Sequence, residues 1–538
     1  MLNYSKKNSL IDHSEKKIFF SIKESIDSKK YWYLKDMTLD SLAGISFEKA
    51  SKHLRDKKIL DTIIVAVIDT EINVNHSYFK NDIWINKGEI SNNGIDDDND
   101  GYIDDINGWS FISNTNGKYT SFYNFEATRV LKHFNSLLNK DSDTLKMLGI
   151  NNDTYYRAKR IYNLQFQQAK GRERHGNYLI NNYEKAFNVV KEYYPDAGGN
   201  YDTKKLDSLY LKLKDSNKEK ANLVYYVSDY IKYNLSKEWI ENFKSNTDNI
   251  LQKCLNFNYD ERAIIGDSPN INDSIYGSPK LYHDINLAYH STQVTGIITN
   301  HNEKQFLKVM PIVVSAHGDE NDKDIALAIK YAVNNGARVI NISFGKEVSL
   351  NYQWVQNAIE YASKKDVLIV YAAGNEAKNV DNIENKYYPN DLNNFGKEIF
   401  NNFMSVGAST KSLDENLVAN FSNFNKKHVD IFAPGDSIYV YSPDGNDYYN
   451  RGTSLAAPMV SKTAALILAY YPNLTASEVK QIIMESGTSY DIMVNKPSLS
   501  KEKELVPFSS LSKSGKIVNA YNALLMAEEV SKKKKRKK

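Results

Sequence analysis

The sequence predicts an α/β fold: a mostly parallel sheet flanked by helices and interrupted by a large helical insertion. Three observations carry this. Short, nearly continuous apolar and β-branched runs recur at 62–68 (TIIVAVI), 306–314, 338–343, 367–372 and 428–432, the texture of strands buried on both faces. Helical patterns at 324–335 and 352–364 alternate with them, an order that builds parallel sheets with working residues at the carboxyl ends of the strands. Between 113 and 280 the strand signal fades into a Lys-, Asn-, Tyr- and Leu-rich texture of helical period.

In that third region Leu179, Tyr183, Phe187 and Val190 share one helical face, as do Leu206, Leu209, Tyr210 and Leu213. Segments 126–139, 223–233 and 237–255 read alike, with Gly198-Gly199 and residues 151–154 as turns or caps. The organisation expected is therefore an N-terminal segment 1–60 packing on the main domain and a discontinuous α/β domain at 61–112 and 281–530. A helical insertion at 113–280 and a basic tail at 531–538 complete it. The insertion has two open readings: a device that restricts access or selects substrates, or a merely tolerated elaboration.

Composition sets outer limits. A hydrophobic share of 41% with 25% charge excludes wholesale disorder. Basic and acidic residues nearly balance, 69 against 66, so the chain has no overall electrostatic reason to seek nucleic acid. The dense basic run is Lys532 to Lys538, read as a solvated tail or a contact for an anionic partner. One cysteine, Cys254, excludes an intramolecular disulfide and a cysteine-based zinc site, and reads as a small core residue. No apolar stretch marks a secretory signal or a membrane span, so the expected location is cytoplasmic.

Four segments carry chemistry. Strand 63–68 delivers Asp69, a carboxylate that needs a partner in low dielectric, although alone it serves equally as a structural or metal-binding residue. His290 opens HSTQVTGII, whose small residues and Gly296 leave room for close packing; alone, a histidine at a helix start is more often structural. In Gly452-Thr453-Ser454-Leu455-Ala456-Ala457-Pro458 the serine falls at a helix N-terminus, where open amides favour developing negative charge. Pro458 is tolerated in the first turn. Strand 367–372 runs into Ala373-Gly374-Asn375, where Asn375 is either a turn residue or an amide donor aimed at an oxyanion.

Taken in this order, the four segments resemble the subtilisin-type (subtilase) serine peptidases. The family's D-[ST]-G, H-G-T-H-V-A-G, A-x-G-N and G-T-S-x-A-A-P motifs fall on Asp69, His290, Asn375 and Ser454. The resemblance implies a serine endopeptidase with Asp69, His290 and Ser454 as its triad and Asn375 as oxyanion donor. It implies a peptide or protein substrate paired as an added strand with Ser343, Phe344 and Gly345, while Ala372, Ala373 and Gly374 line the opposite wall of the primary pocket. A cytoplasmic location would suit a processing enzyme of restricted specificity. Three positions depart from the motifs: Glu71 and Ser291 stand where glycine is usual, and Gln293 replaces a second histidine. They keep open a rival reading, a catalytically impaired, subtilase-like peptide-binding protein.

One acidic loop stands apart. Asp96, Asp98 and Asp100, followed by Gly101, resemble the first half of an EF-hand loop, with the Tyr102 carbonyl as a further oxygen. Position twelve is Asn107 rather than glutamate, which leaves Asp104 or Asp105 to substitute. The loop reads either as a structural calcium site or as a solvated acidic turn. No cofactor is required for the chemistry itself.

Overall fold

The structure, a computed structural model, describes residues 30–138, 152–268, 275–381, 385–500 and 502–537. Positions 1–29 of the N-terminal segment, and Asn139, Asn151 and Lys538 at the edges of the expected elements, lie outside the described residues. Among the described residues the main strands are β1 (Ile63–Asp69), β2 (Trp109–Ser110), β3 (Leu307–Val313), β4 (Val339–Ile342), β5 (Leu368–Ala372), β6 (Phe403–Ser409) and β7 (Ile431–Pro434). Shorter ones follow: β8 (Ile438–Val440), β9 (Tyr448–Asn450), β10 (Thr488–Ser489), β11 (Met493–Asn495), β12 (Leu505–Pro507) and β13 (Lys516–Ile517). The large sheet runs β10-β13-β7-β6-β5-β4-β1-β3-β2, parallel throughout except where β10 meets β13. This is the expected α/β class. Strand β6 has no counterpart among the runs read from sequence, because Ser405, Gly407 and Ala408 dilute its apolar signal.

Register fixes the working edge. Ile68 on β1 pairs with Ile342 on β4, which pairs with Tyr371 on β5. The next residues, Asp69, Ser343 and Ala372, therefore leave three adjacent strands at the same level. The strands also alternate faces with period two. Ile63, Val65 and Val67 join the core packed against the helix Thr453–Tyr470, whereas Ala66 and Ile68 join the core under the helices Asp322–Asn334 and Tyr352–Lys364. The described part of the N-terminal segment belongs to the first core, through Trp32, Tyr33, Leu34, Phe47 and Leu54. The Trp32 indole donates to the Ser437 carbonyl at 2.9 Å.

The chain divides into two compact units: Met1–Ser121 with Arg262–Lys538, and Phe122–Glu261. The first thus extends past the expected boundaries at 112 and 281. Ser110 and Ser278 exchange backbone hydrogen bonds of 2.9 and 3.0 Å, and the Ser113 hydroxyl bonds the hydroxyls of both, so the two chain segments that lead out of this unit run side by side. The second unit is helical. It holds Glu126–Leu138, Asn152–Tyr193, Thr203–Leu213, Lys218–Lys232 and Lys237–Asn249, the last running into a π-helical turn at Ile250–Cys254 that buries Cys254. Leu179, Val190, Leu206, Leu209, Val224 and Ile240 form its core, in keeping with the helical faces expected from sequence. Residues 152–154 open the helix Asn152–Tyr193, the cap rather than the turn of the two readings. In the basic tail, Lys532 pairs with Glu528 at 2.8 Å and Lys534 with Glu478 at 2.7 Å, so part of the run serves the fold.

Candidate active site

Asp69 ends β1 buried, and its Oδ1 accepts from the Thr70 amide and from His290 Nδ1, both at 2.7 Å. His290 is the second residue of the helix Tyr289–Thr299, and its ring stays about one-third exposed. Burial lowers the imidazole pKa, but the Asp69 carboxylate outweighs it, and with help from Glu320 the value stands above the ordinary one. The hydrogen bond at Nδ1 leaves Nε2 as the nitrogen open to a reacting group.

Ser454 is the second residue of the helix Thr453–Tyr470. Its first turn is held by its neighbours. Asn375 Oδ1 takes the Thr453 amide at 2.8 Å and the Thr453 hydroxyl at 3.1 Å, and Leu455 N donates to the Gly452 carbonyl at 3.0 Å. The Ser454 amide between them, like its hydroxyl, has no hydrogen-bond partner among the described residues. With both donors on Oδ1, the Asn375 Nδ2 is turned the other way. A methyl built on Gly452 would lie 2.9 Å from Ser454 Oγ and 3.9 Å from Asn375 Nδ2, so glycine is what lets hydroxyl and amide share one space.

The strand ends hold this helix in place. Ser343 Oγ donates to the Ser454 carbonyl at 2.9 Å and accepts from Asn341 Nδ2 at 2.9 Å, while Ser461 Oγ reaches Asn341 Oδ1 at 2.8 Å. Ser343 is thus a buried strut; Phe344 and Gly345 are partly exposed beside it. On the facing wall Ala372, Ala373 and Gly374 are buried, with the Ala373 and Gly374 carbonyls held by Asn423 Nδ2 and N, each at 2.9 Å.

The three departures are absorbed locally. Glu71 is fully buried and accepts from the amides of His283 and Asp284, at 2.6 and 2.8 Å, and pairs with His283 Nδ1 at 2.9 Å. Ser291 Oγ donates to the Glu71 carbonyl, so the two substitutions answer each other. Gln293 donates to the Tyr448 hydroxyl at 2.7 Å and accepts from Asn450 at 2.9 Å, which ties the histidine helix to β9.

The acidic loop gathers a set that differs from the residues read in sequence. Oxygens of Glu89, Asp96 and Asp98 all lie within 4.8 Å of one another. Asp100 accepts from the Tyr102 amide at 2.9 Å and from Asn335, and Asp104 from the amides of Asn93 and Gly94, each at 3.0 Å, while Glu89 and Asp96 accept backbone amides as well. The set of three fits part of a hard-cation shell. Glu89 was not legible, since it precedes the D-x-D-x-D-G pattern by seven positions and carries no motif of its own. Glu320, pushed up to about 7 by burial and bonded to Ser315 Oγ at 2.6 Å, was likewise missed, within an acidic run that had no chemical spacing to flag it.

Residues 61–503 match the subtilase family, and the chain belongs to it. Relatives include the cell wall-associated protease of Bacillus subtilis (strain 168), 34% identical over 37% of this chain and 21% of that one. The thermophilic serine proteinase of Bacillus sp. (strain AK1) is 32% identical over 38% and 48% of the two chains, and the major intracellular serine protease of Bacillus subtilis (strain 168) is 32% identical over 39% and 63%. The chain therefore spans no more than 63% of the length of these relatives. Among solved structures, the prenylagaramide maturation protease PagA aligns at 25% identity over 44% of this chain and 82% of that one, with a TM-score of 0.35. A lanthipeptide protease aligns at 26% over 44% and 75%, also with a TM-score of 0.35.

Proposed function

We propose that the chain is a serine endopeptidase that cuts peptide bonds through an acyl-enzyme. The observation that carries this reading is the 2.7 Å Asp69–His290 bond at the sheet edge, together with Asn375 Nδ2 and Ser454 Oγ disposed around Gly452. In the proposed cycle Ser454 Oγ attacks the substrate carbonyl while His290 Nε2 removes the hydroxyl proton. Asp69 holds the tautomer and steadies the positive ring. The oxyanion is met by Asn375 Nδ2 and the Ser454 amide. Collapse expels the amine, which takes the proton from His290. Water, deprotonated by the same imidazole, then releases the acyl group and restores the serine.

The rival, a peptide-binding relative without catalysis, rested on Glu71, Ser291 and Gln293. Each has partners that leave the Asp69–His290 link intact, which favours the enzyme. Restricted specificity, and a role for calcium bound by Glu89, Asp96 and Asp98 in holding the loop, belong to the same proposal. Incubation with a proteome-derived peptide pool tests the reading. The chain is expected to generate new termini, and Ser454→Ala to lose about 10⁶ in turnover. Equal cleavage by the folded variant contradicts it.

A further inference from the structure

On the peptidase reading, the walls at 343–345 and 372–374 flank the slot for the substrate residue at the cut. A methyl on Gly345 would meet Tyr387 Cε1 at 2.5 Å, and one on Gly374 would meet the same carbon at 3.0 Å. One ring edge therefore lies against both walls. Its hydroxyl pins it there, donating to the Gly345 carbonyl at 3.1 Å and lying 3.4 Å from Glu376 Oε1. Glu376 is anchored in turn by Asn423 Nδ2 at 2.7 Å. Tyr387 itself is partly exposed. The ring also lines a cavity of about 40 Å³ with Tyr371, Ala373, Asp391 and Phe403. Asp391 Oδ2 is buried there with no hydrogen-bond partner among the described residues.

Resting on the peptidase reading, we propose that Tyr387 sets the cleavage preference by closing the slot, so that the residue whose carbonyl Ser454 attacks is Gly, Ala or Ser. A ring carbon in contact with both walls leaves no depth for a branched, aromatic or long side chain, because overpacking a filled site forces neighbours off their rotamers. The ring is also a partition. Without it the slot joins the cavity behind, whose lining holds the carboxylates of Asp391, Glu398 and Asp430 against Lys386 and His428, and a long cationic side chain becomes the best fit.

Matched peptides differing only by Ala, Phe or Lys at that position, with the cut site located by mass spectrometry, test this. The wild-type chain is expected to favour Ala over Phe and Lys by about tenfold or more in kcat/KM. Tyr387→Gly is expected to move the Lys-to-Ala ratio upward by about tenfold or more, while Tyr387→Phe keeps the ring and the preference for Ala. Fluorophosphonate labelling of Ser454 is read alongside. A Tyr387→Gly chain that labels but retains the wild-type ratios overturns the role of Tyr387. So does a wild-type chain that labels yet prefers Phe or Lys, whether or not the variant folds. A folded wild-type chain that does not label overturns the peptidase reading instead.

Discussion

Asn375 gives its amide oxygen to the Thr453 amide and hydroxyl, and that commitment decides where its nitrogen points. In the proposed mechanism, replacing it with alanine leaves the triad in place and removes one donor from the oxyanion. Asn375→Ala is expected to lower kcat by about 10²–10³ with KM little changed, read from steady-state kinetics on a peptide substrate. His290 has its own signature. Its pKa is pulled down by burial and raised further by Asp69, so the net value lies above the ordinary one. As the proposed base it must be neutral, hence the acid limb of kcat/KM is expected above the usual histidine range. Asp69→Asn is expected to shift that limb to lower pH and to slow turnover by about 10⁴. The stability sign agrees: protonation of His290 favours the folded chain below the ordinary pKa, and the benefit fades as pH rises through the raised value. At this scale the candidate residues Asp69, His290, Asn375 and Ser454 each sit in a short local motif that sequence can flag. Tyr387 and Glu89 do not, since they reach their places by chain reversal rather than by spacing.

The helix Thr453–Tyr470 is buried along its whole length, and one of its residues is charged when solvated. Lys462 is fully buried, donates to the Asn300 carbonyl and lies 4.2 Å from the centre of the Phe47 ring. Burial lowers its pKa to about 7. Between that value and the ordinary lysine range the unfolded chain binds more protons than the folded one, so stability rises with pH. Lys462→Met keeps the length of the side chain and removes the titration. It is expected to flatten the rise in Tm between pH 7 and pH 10, as thermal melts across that range would reveal; an unchanged slope contradicts the assignment. Elements were read unevenly from sequence. The helix Tyr352–Lys364 is found at its expected bounds and β1, β4 and β5 lie within a residue or so of theirs, since their apolar periods are strong. Strand β6 escaped because small residues suffice beside large neighbours: a methyl on Gly407 would already meet the Phe432 ring of the adjacent β7 at 2.5 Å.

At the scale of the whole chain the sheet order could not be read locally. That β1 lies between β3 and β4, with more than 230 residues separating it from either, depends on long-range pairing that no window of sequence contains. The helical texture at 113–280 was visible, but not where the sheet unit ends, since the pairing of Ser110 with Ser278 joins residues far apart in the chain. Nor was the grouping of Glu89 with Asp96 and Asp98 visible. If Glu89, Asp96 and Asp98 bind calcium, an excess of the ion about 100-fold over its Kd stabilises the fold by about 2.7 kcal/mol. Tm is expected to rise with added calcium and to fall back on chelation, and Asp98→Asn to lose that response. A wild-type Tm indifferent to the ion would identify the loop as a solvated turn.

Fluorophosphonate labelling followed by peptide mass mapping tests whether Ser454 is a nucleophile activated by a His290 ring that Asp69 orients. A single adduct on Ser454 is expected, absent in Ser454→Ala and strongly slowed in His290→Ala. A folded chain that takes no label, or takes it at another residue, contradicts that role.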